Sequence, residues 1–133
     1  MSEHQTDKHI VAFLADNERG QKGAALALQK ERDRALADIE KREQPLQKRR
    51  DKMQAELDAA RAWLANIPID CEPSEIGGNQ AIADRWPSMI GDVSAALGEM
   101  YQERRAVETT YSYGVRHLKA VMRLQINEAI QDL

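Results

Sequence analysis

The chain has 133 residues and a formal net charge of −3, with 31% charged residues of both signs and 5% aromatic ones. That length fits one domain with a modest core, and the abundance of Ala, Glu, Lys, Leu and Arg is that of long helices rather than of a mixed fold. The slightly acidic balance counts against a general nucleic-acid binder, no window is apolar enough to span a membrane, and a lone cysteine excludes an intramolecular disulfide.

Ser2 or Thr6 is placed to cap a short first helix, about residues 3–18, whose apolar stripe is Ile10, Val11, Phe13 and Leu14. A helix that short needs a surface to dock on. Gly20 and Gly23 predict a break over residues 17–23. The polar start of the chain, without an apolar signal-like run, together with the single Cys71, predicts a cytoplasmic protein.

The stretch that follows, about residues 23–66, organises the rest. Leu36, Ile39, Glu43, Leu46, Arg50, Met53, Leu57, Ala60, Leu64 and Ile67 are separated alternately by three and four residues. This is the period of a helix that packs along one coiled-coil seam. Pro45 lies inside it and removes one helical hydrogen bond at a cost of about 3 kcal/mol. Two outcomes are open: one helix kinked at Pro45, or two helices meeting at Gln44. The seam passes Pro45 without a change of phase, which favours the single kinked helix.

Residues 67–86 contain Pro68, Pro73, Gly77 and Gly78 and predict a linker, with Asn79 capping at most a single turn. Pro87 suits the first position of a last helix over residues 87–131. The expected fold class is therefore all-α: a long antiparallel, coiled-coil-like helical hairpin with a short N-terminal helix. Folding at the linker centre pairs residues whose numbers add to about 153. Ala60 then meets Val93, Met53 meets Met100, Leu46 meets Val107, and Ile39 falls beside Gly114 and Val115. Phe13 and Leu14 are expected against Ile126 and Ile130, and Trp63 and Trp86 as an apolar cap at the hairpin tip.

Residues with chemical potential are few. His4, His9 and His117 do not share a helix face at ligand spacing, and Cys71 has no partner cysteine, so no metal site is expected. Nothing beside Cys71, between Asp70 and Glu72, would stabilise a thiolate nucleophile. Gly77-Gly78 lacks the following Lys-Ser or Lys-Thr and the preceding strand of a phosphate loop. The chain is expected to be a non-enzyme without cofactor.

Three surfaces remain. Ile69, Asp70, Glu72, Glu75, Ile76 and Trp86 place apolar anchors inside an acidic rim at the hairpin tip, a composition suited to a basic, grooved protein partner; the plainer reading is that these side chains merely close the hairpin. Lys48, Arg49, Arg50, Arg104 and Arg105 form a basic belt in that register. Glu99, Glu103 and Glu108 are its expected internal counter-ions, and a nucleic-acid backbone or acidic partner the alternative. Finally, Leu26, Leu28, Phe13 and the alanine face of Ala55, Ala59 and Ala62 exceed what one hairpin can bury, so a homodimer or larger helical bundle is expected. The functional expectation is a protein-interaction module acting as regulator, adaptor or inhibitor. The alternatives are a nucleic-acid-associated protein using the belt and a self-assembling scaffold.

Overall fold

The computed structural model describes the backbone of residues 2–132, and side-chain surroundings for residues 8, 9 and 11–132. The capping expected of Ser2 or Thr6 and the side chains of His4 and Ile10 lie outside these. Two helices make up the fold, α1 (Ser2–Ala65) and α2 (Pro73–Gln131). They form an all-α helical hairpin, with no strand among the described residues.

The seam explains why. Every position of the three-four series from Leu36 to Leu64 is buried or half-buried, and Ile39, Glu43, Met53, Leu57 and Ala60 are its most enclosed members. Residues between them are mostly exposed, and polar or alanine, so burial follows the heptad and not the mean hydropathy. On α2 the matching series runs through Ile90, Val93, Met100, Arg104, Val107 and Tyr111, continuing to Val115, Leu118, Met122 and Ile126.

Three expected boundaries move. The short N-terminal helix and its break at residues 17–23 are replaced by an uninterrupted α1. No glycine takes a positive φ among the described residues, so Gly20 and Gly23 simply sit in the helix. Asp16 with Arg19, and Glu18 with Lys22 at 3.2 Å, brace that turn from the outside. A three-four alternation resumes there, one residue out of phase with the later seam, through half-buried Asn17, Gln21, Ala24 and Leu28, and two of the four are polar. A Cβ added at Gly20 or Gly23 meets nothing within 4 Å. Gly20→Ala and Gly23→Ala are therefore each expected to stabilise α1 by about 0.5–1 kcal/mol, seen as slower amide hydrogen exchange around them.

The predicted linker shrinks as well. Only residues 66–72 leave the helices, and α2 begins at Pro73, not at Pro87. Proline at the first helical position needs no N–H partner, and Glu72 and Glu75 favour the positive end of the helix dipole. Asn79 does not cap a separate turn; its side-chain amide donates to the Glu75 carbonyl at 2.9 Å, within α2. Pro45 and Pro87 are accommodated inside the helices, and neither helix is broken there. Both proline rings are exposed, so the carbonyls they orphan, of Lys41 and Ala83, lie on strips that water reaches.

The earlier start of α2 shifts the register. Arg42 meets Glu103 and Glu43 meets Arg104, so paired numbers add to 145 and 147 rather than to about 153. Glu56 with Trp86 and Leu28 with Gly114 both add to 142, so the slip is 6 to 11 residues; a step that returns seam onto seam preserves apolar-on-apolar pairing and is invisible to a repeating pattern.

Contacts divide the chain into two compact units, one of Asp38–Arg104 and one of Met1–Ala37 with Arg105–Leu133, called here the loop unit and the terminal unit. In the loop unit, Ile39, Met53, Leu57, Ala60 and Val93 form the core; in the terminal unit Met122 is buried. Gly114 matters in the latter: a Cβ there would stand 3.2 Å from Leu28 Cδ2, so its absence lets the two helices approach. Phe13 sits beside Asn17, Gln125 and Ala129 in a shallow groove and remains partly exposed, as do Leu14 and Ile130.

Candidate functional site

The connection between the helices is built from three short turns. The Asn66 N–H donates to the Trp63 carbonyl at 3.2 Å, the Cys71 N–H to Pro68 at 3.3 Å, and the Glu75 N–H to Glu72 at 3.0 Å. Each closes three residues back, so the chain reverses within residues 66–72, with Pro68 holding the middle turn. Ile69 at the apex is 106% exposed, and Ile67 and Ile76 are exposed beside it. Asp70, Glu72 and Glu75 surround them in water, while Cys71 is half-buried. Among the described residues no ion pair engages these three carboxylates.

Trp86, expected at the tip, stands elsewhere. It lies well inside α2, half-buried, and its indole N–H donates to a Glu56 carboxylate oxygen at 2.8 Å. Trp63 is also half-buried, two helical turns along α1 from Glu56. The five remaining tip residues are thus gathered at or next to the connection, and the tryptophan fastens the stem.

The residues of the expected basic belt each have their own surroundings. Arg104 reaches Glu43 at 2.7 Å; the Glu43 side chain is 11% exposed and that of Arg104 40%. The contacted Glu43 Oε1 makes no aligned hydrogen bond, so this is an ion pair held by charge more than by direction. Glu103, expected to neutralise the belt, donates its charge to Arg42 instead, accepting a hydrogen bond at 2.6 Å, with Asp38 at 3.3 Å on the other side. That hydrogen bond, with the charges of Glu103 and Asp38, raises the Arg42 pKa above its usual value. Arg50 has only Asp51 at 4.0 Å, and Lys48, Arg49 and Arg105 are exposed. Sequence reasoning missed the role of Glu43, although an acid and a base, each on an apolar seam, were visible signals.

The terminal unit has its own surface feature. Leu28 and Ala35 of α1 and Ala106 and Thr110 of α2 border an apolar groove of about 310 Å³. At its edge the Arg32 guanidinium lies 4.3 Å from the centre of the Tyr111 ring. The alanine face of Ala55, Ala59 and Ala62, in the loop unit, is exposed throughout.

Among the described residues no three of His, Cys, Asp and Glu converge as metal ligands, and no helix is long and apolar enough to cross a membrane. Neither a family model, nor a curated protein, nor a solved structure matches this chain.

Proposed function

We propose that the protein is a non-enzymatic interaction module, a regulator, adaptor or inhibitor, that presents its acidic, isoleucine-bearing tip to a basic groove on a protein partner. The observation that supports this reading is Ile69. A fully exposed β-branched side chain at the apex of a tight turn adds nothing to the stability of the hairpin. Inserted into a pocket it would bury most of its surface, worth about 1.5–3 kcal/mol, while Asp70, Glu72 and Glu75 steer the approach. The cytoplasm is the setting that fits a single cysteine. Self-association into a homodimer or helical bundle belongs to the same reading, because much apolar surface of the terminal unit stays uncovered.

The test is comparative capture. A partner retained by the native chain should be lost when Ile69→Ser is combined with Glu72→Lys and Glu75→Lys, and retained by Arg49→Ala with Arg105→Ala. The tip variant should keep native helicity apart from a small loss at the start of α2, where Glu72 and Glu75 favour the helix dipole. Full retention by the tip variant would remove the tip from consideration. Binding to DNA or RNA at low salt, weakened by the arginine variant, would instead favour the nucleic-acid alternative.

A further inference from the structure

Besides its seam, α2 carries a second stripe with the same alternation of four and three: Ala106, Thr110, Tyr113, His117, Ala120 and Leu124. All six are exposed, so α1 does not cover them. A period of this kind on an outer face is that of a contact with another helix. Its two ends differ in a useful way. Ala106 and Thr110 border the groove that Leu28 and Ala35 complete, whereas Leu124 projects into solvent, 61% exposed.

The stripe is complementary to itself when reversed. An antiparallel two-fold axis at residue 115 sets Ala106 opposite the partner's Leu124, Thr110 opposite the partner's Ala120, and Tyr113 opposite the partner's His117. Small faces large at the ends, and two flat rings meet near the axis. Knob and groove lie about 27 Å apart along α2, and the axis seats both knobs at once. A parallel pairing would instead set leucine on leucine and leave both grooves empty.

We propose that this stripe is the surface through which two copies of the chain associate, with Leu124 of each entering the other's groove. Uncovered area supports a second copy as the occupant. The chain exposes 10162 Å², whereas a compact monomer of its mass exposes about 7,000 Å². A standard interface removes about 800 Å² per partner, well within that excess. Of the eleven large hydrophobic side chains exposed among the described residues, seven (Val11, Phe13, Leu14, Leu26, Tyr113, Leu124 and Ile130) belong to the terminal unit. The inference rests on the self-association proposed above and names its surface.

Light scattering and sedimentation of the full chain across micromolar concentrations provide the test. The native chain is expected at twice the mass of one chain. Leu124→Glu should raise the dissociation constant about tenfold or more, by placing a carboxylate in an apolar groove, with helicity unchanged. Tyr101→Glu, an exposed position outside the stripe, should leave the dimer intact. Adding Ala106→Lys to Leu124→Glu should restore it, which only the antiparallel arrangement permits. A monomeric native chain would overturn self-association and interface together. A dimer that Leu124→Glu leaves untouched, or that Ala106→Lys does not rescue, would overturn this interface alone.

Discussion

Leu57→Ala should destabilise the loop unit by about 3 kcal/mol, within the usual range for a leucine emptied from a core. Leu57 is 3% exposed and shares the buried face of α1 with Met53 and Ala60, on a seam only two helices wide. Such a core has no second layer to move into the space. For a unit of this size, that loss lowers the melting temperature by more than about 10 °C, readable by far-UV circular dichroism. Leu26→Ala is the control. Its side chain is half in water, and the change should stay within about 1 kcal/mol. Equal effects at the two positions would mean that the seam does not carry the stability of the hairpin.

The second large effect is expected at the ion pair of Glu43 and Arg104. Arg104→Met leaves the Glu43 carboxylate enclosed without its cation. Removing one partner of a fully buried pair costs about 3–5 kcal/mol; Arg104 is partly in water, so about 1–3 kcal/mol is the expectation here. Glu43→Leu added to Arg104→Met should recover most of it, since the position then matches its apolar neighbours. If the double variant remains as unstable as the single one, the loss came from the arginine stem and not from the orphaned charge. Denaturant titrations of both variants separate these outcomes.

The same pair shows how far the sequence could be read. The seam was legible because its alternation survives Pro45, and the burial of Ile39, Met53, Leu57 and Ala60 follows it residue by residue. Helix ends were less so. Gly20, Gly23, Gly77 and Gly78 read as punctuation, yet tertiary packing overrides a propensity cost of about 1 kcal/mol each. Pro73 and Pro87 are both credible first residues of a helix, and local sequence alone does not choose between them. From that choice came the displaced register and the removal of Trp86 from the apex. Ile69, Asp70 and Glu72 lie in the connection under either boundary.

A heptad seam interrupted by one charge pair also bears on how such a chain can change length. Deleting one heptad from α1 between Glu43 and the connection, with a matching heptad from α2 before Arg104, leaves every remaining seam position facing its own kind. The ion pair still closes, and the residues of the apex are untouched. Equal insertions behave alike, whereas unequal ones strand Glu43 opposite an apolar side chain. Growth and trimming are therefore permitted only in paired steps, and the lone acid in the seam acts as the proofreader that rejects mismatched ones.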